Sequence, residues 1–128
     1  MRINNFKDLE IWKLSLSITK EIYDLSGKKD FSCDFGLKNQ IRRAVISISS
    51  NIVEGFEKNN NNEFIRYLKI AKGSTGEVRS QLEIAKVVGH ITQKELLSVD
   101  EKLVDLASQI GGFIKYLETK RKGKKRWS

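Results

Sequence analysis

Apolar residues along the chain recur at intervals of three and four, in four blocks separated by short polar breaks. From Phe6 to Ser26, one row runs Leu9, Trp12, Leu16, Thr19 and Tyr23, and a second runs Ile11, Leu14, Ile18, Ile22 and Leu25. Both fit one face of a helix. Together they cover roughly 200° at 3.6 residues per turn, wider than the ~100° stripe of an ordinary surface helix. The pattern predicts a first helix that is buried on two sides. Gly27 to Ser32 reads as a loop. The following stretch, GLKNQIRRAVISISSNIVEGFEK, contains the alternating VISIS, which by itself favours a strand. Leu37, Ile41, Ala44, Ile48, Ile52 and Phe56 nevertheless keep helical spacing through all of it, so the stretch is expected to be a second helix.

Asn59 to Asn62 form a polar break, where Asn60 and Glu63 supply an N-cap with a capping-box partner. The third block, Phe64, Leu68, Ala71, Thr75, Val78, Leu82 and Ala85, passes through GSTG without losing phase. A hinge would reset the register, so one continuous helix of about 26 residues is predicted. Gly89 and His90 end it. Thr92 to Glu95 (TQKE) is a capping box that opens a last helix with the row Leu96, Leu103, Leu106, Ile110, Phe113, Ile114 and Leu117. The expected class is all-α: an antiparallel up-down-up-down four-helix bundle over residues 1–119, assembled into a homo-oligomer. Residues 120–128 are expected to form a disordered basic C-terminal tail. The chain has no proline to interrupt such helices.

Charge changes the picture in two places. The net charge is +8, and the stretch Lys120 to Arg126 carries six of the 24 basic residues and no acid. Within the body, residues 38–86 hold nine basic and five acidic side chains, while 87–119 hold three and five. A basic tail attracts polyanions by counterion release, and it equally serves as a solvated end. A single cysteine, Cys33, rules out an intrachain disulfide and suits a reducing cytoplasm. No segment approaches the ~20 apolar residues of a membrane span, and MRINNFKDLEIWKL lacks a signal-peptide core. A cytoplasmic protein with no membrane partner is expected.

Three constellations are candidate sites. Gly73, Gly76 and Ser80 lie opposite the core row of the third helix, although each helical glycine costs about 1 kcal/mol relative to alanine. The stripe is either simply exposed or a place where a subunit or ligand approaches closely, and with the two-sided first helix it suggests a subunit contact. A P-loop is excluded by spacing and by the lack of a lysine at the required place. On the second helix, Gln40, Arg43, Ser47, Asn51 and Glu54 form a polar seam that would fix register, bind a ligand or mark a half-solvated boundary. Basic residues line one flank of the third helix at Lys69, Lys72, Arg79 and Lys86, joined by Lys38, Arg42 and Arg43. With Arg121, Lys124, Lys125 and Arg126 of the tail, these are the candidate contacts to RNA or DNA phosphates. The alternative is an ordinary solvated face. Few aromatics lie near, so base stacking is not indicated.

Catalysis has little support. His90 is the sole histidine, one His and one Cys do not make the usual four-ligand zinc site, and no nucleophile–base–acid set stands out. The chain is expected to be no enzyme, with no cofactor and no metal.

The segments FKDLEIWKLSLSITKEIYDLS, FGLKNQIRRAVISISSNIVEGFEK and EFIRYLKIAKGSTGEVRSQLEIAK resemble the bacterial four-helix-bundle proteins first noticed as reading frames in intervening sequences of 23S rRNA genes, some labelled an S23-like ribosomal protein family. The resemblance runs from Phe6 to about Leu117 and is carried by QIRRA, SISSNIVEG and IAKGS followed by Glu77. Val53 and Cys33 depart mildly from the family's pattern. The resemblance implies a homo-oligomer, with a pentameric barrel in related proteins. It also implies kinship with basic accessory proteins of diversity-generating retroelements, which associate with nucleic acid and a reverse transcriptase. Asn51, Glu54, Gly55, Gly73 and Ser74 match the family's pattern, and Gly76 and Glu77 lie in the same stretch. No catalytic residue is implied. The function expected is a non-enzymatic oligomeric protein that binds RNA or DNA through phosphates. The alternative is a protein-interaction scaffold with a protein partner.

Overall fold

The computed structural model describes residues 3–120, which are helical with no strand among them. The tail positions Arg121, Lys124, Lys125 and Arg126 lie outside the described residues. At the N-terminus, Asn5 Oδ1 accepts the Lys7 N–H at 2.9 Å and opens a 3₁₀ turn over Phe6–Asp8. Leu9 is then extended (φ −74°, ψ 126°), and helix α1 spans Glu10–Ser26. The helix expected from Phe6 thus begins at Glu10, because a capped 3₁₀ turn and an extended residue precede it. Its core row is Ile11, Ser15, Ile18, Ile22 and Leu25. The other apolar row lies on the shoulder: Trp12 is half-buried, and Leu16 is 48% exposed. Both rows are apolar, so hydrophobicity alone does not choose between them. Within one chain, only one row of the two-sided helix is fully covered.

The expected loop at 27–32 holds a short helix α2, Lys29–Cys33, pinned by the buried ring of Phe31. Cys33 therefore ends a helix and is exposed. Helix α3 spans Phe35–Glu57, and Asp34 Oδ1 caps it by accepting the Leu37 N–H at 3.2 Å. VISIS is helical because Val45 and Ile48 point into the core while Ile46 points out. Asn59, at φ 52°, ends the helix in the left-handed conformation that asparagine tolerates well.

Helix α4 runs unbroken over Asn61–Val87, so GSTG is ordinary helix. Asn60 caps it, accepting the Glu63 N–H at 3.0 Å. The expected reciprocal half of the capping box is replaced, since the Glu63 carboxylate accepts from Arg66 at 3.0 Å. Helix α4 closes in a Schellman motif: Gly89 has φ 87°, the His90 N–H donates to the Ala85 carbonyl at 2.8 Å, and the Gly89 N–H donates to that of Lys86 at 3.0 Å. Helix α5, Gln93–Thr119, opens with the complete Thr92–Glu95 capping box.

The long helices pack as neighbours α1–α3, α3–α4, α4–α5 and α5–α1. Cross-contacts show that these pairs run antiparallel. Tyr23 and Ser26 meet Arg42, and Glu21 pairs with Lys102. Ser47 meets Ser74, Arg79 meets Asp100, and the buried Asn61 donates to the Lys120 carbonyl at 2.9 Å. The core threads all four helices, with Ile18, Ile22, Ile41, Ile48, Ile52, Leu68, Leu82, Leu103, Leu106 and Ile110 fully enclosed.

The closest pair, α3 and α4, has a steric reason. A Cβ on Gly55 would lie 2.7 Å from Tyr67 Cβ and 2.9 Å from Phe64 Cδ1. Gly55→Ala is therefore expected to destabilise the fold by about 1–3 kcal/mol through overpacking. Gly112→Ala has nothing within 4 Å of the added carbon and is expected to gain up to about 1 kcal/mol from helix propensity. Chemical denaturation followed by circular dichroism reads both, and a neutral Gly55→Ala would refute the close-approach account.

Candidate functional site

The fold separates the basic residues into different environments. Arg42 is committed to structure: its Nε donates to Ser26 Oγ at 2.8 Å and Nη2 to the Tyr23 carbonyl at 3.3 Å, with the guanidinium 4.2 Å from the Tyr23 ring centroid. Ser26 Oγ in turn donates to the Ile22 carbonyl at 2.7 Å; the Tyr23 carbonyl already accepts the Gly27 N–H at 3.0 Å, so Arg42 adds a second donor at the end of α1. Arg79 is likewise engaged, as a fork on Asp100 of α5 at 2.7 and 3.2 Å. The Lys38 ammonium sits 5.2 Å from the exposed Phe35 ring. Arg43 and Lys86 are exposed and make no ion pair among the described residues.

Lys69 and Lys72 are brought together with Lys115 of α5. The three line an open groove of about 440 Å³ between α4 and α5, with Gly73, Gly111 and Glu118. Lys72 reaches across to α5, its Nζ 3.6 Å from where a Gly111 Cβ would stand. None of the three lysines has a carboxylate partner among the described residues. The sequence pattern does not reveal Lys115, because the other lysines of α5, Lys94 and Lys102, lie far from it along the helix; only the α4–α5 register places it near Lys69. Lys38 and Arg42 belong to other edges, so the seven body cations do not form one surface.

The polar seam is likewise divided. Asn51 Nδ2 donates to the Ser47 carbonyl at 2.7 Å and to Ser47 Oγ at 3.0 Å, and Ser47 Oγ meets the buried Ser74 hydroxyl at 2.9 Å. These three residues tie α3 to α4. Gln40, Arg43 and Glu54 are exposed and take no part. Gly73 and Gly76 face outward with nothing within 4 Å of an added Cβ, and Glu77 is exposed beside them. Gly55, by contrast, is a packing residue.

His90 has a partner that no sequence spacing reveals, because it comes from a corner 56 positions away. Its Nε2 lies 2.9 Å from Asp34 Oδ2 and donates to it, since a carboxylate only accepts. The imidazole also stacks on Phe31 at 5.2 Å. The His90 hydrogen bond, followed by the Leu37 N–H, holds the Asp34 carboxyl below the usual carboxylate range. The pair ties the start of α3 to the α4–α5 connection. No group of three or more His, Cys, Asp or Glu able to hold a metal occurs among the described residues, and none of their helices is long and apolar enough to cross a membrane.

Among the described residues, an all-helical frame carries an open groove lined by three lysines that make no ion pair. The family model described as 23S rRNA-intervening sequence protein matches residues 7–112, and the chain belongs to that family. Among solved structures it is similar to a protein of unknown function from the S23 ribosomal protein family of Bacteroides thetaiotaomicron, with TM-score 0.75 and 24% identity, covering 82% of this chain and 98% of that one. No curated protein matches it.

Two outcomes are expected. Arg42→Gln removes charged hydrogen bonds at the end of α1 and should cost about 1–2 kcal/mol, whereas Lys72→Gln should change stability by no more than about 0.5 kcal/mol. Equal losses in denaturation would contradict this division. For Asp34, the folded-state value lies below the unfolded one, so the stability it supplies is complete above the ordinary carboxylate range. That contribution is lost as pH falls below about 4. Asp34→Asn keeps an N-cap acceptor but loses the charge, so its deficit against wild type should be present at neutral pH and shrink under acid. A deficit independent of pH would show that the His90 pair does not matter.

Proposed function

We propose that the chain is a non-enzymatic, oligomeric protein that binds RNA or DNA through phosphate contacts without reading sequence. In this reading the four long helices form an up-down-up-down four-helix bundle, with α2 a corner piece, that works in the cytoplasm. The observation that carries it is that several basic side chains on α3, α4 and α5 make no ion pair among the described residues, Arg43, Lys69, Lys72, Lys86 and Lys115 among them. Uncompensated cations raise the local potential and attract a polyanion.

Self-association is supported by the uncovered row of α1. Trp12 lines a shallow cleft with Val53 of α3, and Leu16 of α1 and Ile46 of α3 are 48% and 42% exposed. Such an apolar strip suits a subunit contact, and the family resemblance favours a pentamer. Gly73 edges the basic groove, which makes the glycine stripe part of the ligand side in this reading. The same apolar strip supports the second reading, a protein-interaction scaffold whose basic tail is incidental.

Size-exclusion chromatography with light scattering tests both. The full-length protein is expected to run as an oligomer, to shift with a structured rRNA fragment, and to lose that shift steeply as salt rises. An oligomer indifferent to RNA at physiological salt supports the scaffold. A monomer overturns the subunit contact.

A further inference from the structure

We infer that the groove between α4 and α5 is a seat for the phosphodiester backbone of a nucleic acid, held by Lys69, Lys72 and Lys115; this rests on the nucleic-acid reading above and locates its site. Lys69 and Lys72 lie on one helix at i and i+3, so their ammonium groups project from the same side. Lys115 projects from the facing helix into the same groove. Three like charges share this space with only Glu118 to offset them, and Glu118 makes no ion pair among the described residues. Their mutual repulsion is relieved by an anion rather than by the protein.

The floor of the groove favours a chain-like anion. Gly111 presents bare backbone beneath Lys72, and Gly73 presents bare backbone beyond Lys69, with no atom within 4 Å of its absent Cβ. The groove is open along the helices, which suits an extended backbone better than a single enclosed phosphate. No aromatic ring lines it, so it offers phosphate contacts and no base stacking. Farther along α4 the next cation, Arg79, is neutralised by Asp100, which limits the seat to the end of the bundle where Lys120 meets Asn61.

The test uses full-length protein and a short fluorescent RNA hairpin, with anisotropy measured over a salt series. The triple variant Lys69→Gln, Lys72→Gln, Lys115→Gln is compared with Lys13→Gln, Lys20→Gln, Lys94→Gln, which removes the same charge from other surfaces. The groove variant is expected to bind about tenfold or more weakly and to lower the slope of log K against log salt by about 2 to 3. The control should change affinity by no more than about twofold. Glu118→Gln is expected to tighten binding. Equal losses in both triple variants, or an unchanged Glu118→Gln, would overturn the groove while leaving nucleic-acid binding in place. Wild-type protein that binds no RNA would overturn both readings. Displacement of the RNA by inorganic phosphate at matched ionic strength would overturn the assignment to a backbone, because it would show a site for the free anion.

Discussion

The close approach of α3 and α4 at Gly55 is the constraint on which the remainder of the structure rests. With no side chain there, the α3 backbone comes against Phe64 and Tyr67, so the two helices meet at a spacing that a Cβ would not allow. That contact fixes which α4 residue faces which α3 residue. It places Ser47 opposite Ser74 and lets two small hydroxyls pair where larger side chains would have forced the helices apart. Phe56, Phe64 and Phe113 then form an edge-to-face chain that carries the contact into α5. The α3–α4 contact thus sets the frame against which α1 and α5 pack.

Once that register is set, the surface chemistry follows from geometry. Antiparallel α4 and α5 bring Lys72 beside Gly111 and Arg79 beside Asp100, two turns apart along α4. The same helix therefore shows a neutralised cation at one level and an uncompensated one at another. A row of basic residues on a helical wheel has no such structure; the neighbouring helix imposes it. This is why a charge count for residues 38–86 overstates the size of any one basic surface.

Local patterns were enough to read the elements, and tertiary contacts were needed to read the site. The unbroken phase from Phe64 to Ala85 identified α4 as one helix despite its glycines, and Thr92 with Glu95 marked the start of α5, because caps and periodicity are local chemistry. Helix α1 was legible as a helix, but its inward row was not, since two apolar rows compete and only the positions of α3 and α5 choose. Helix α2 leaves no such mark, because it depends on one buried ring, Phe31, in an otherwise polar stretch. Lys115, and the pairing of Asp34 with His90, depend on residues far apart in sequence, and nothing in the spacing of either partner records them.

Three of the arginines and the three lysines of the groove differ in keeping with their chemistry. Of the four arginines among the described residues, Arg42, Arg66 and Arg79 make directional hydrogen bonds, to Ser26 and the Tyr23 carbonyl, to Glu63 and to Asp100. A planar guanidinium is suited to such fixed geometry, whereas an ammonium on a flexible stem is a point charge with mobile donors. The lysines at 69, 72 and 115 are left with that freedom in the groove. A ligand whose phosphates recur along a chain but whose bases are ignored needs charge at roughly the right place, not a fork aimed at one acceptor. Replacing these lysines by arginines would offer forks without removing charge, so a site of this kind should tolerate the exchange, while the Arg42 and Arg79 positions should not tolerate lysine.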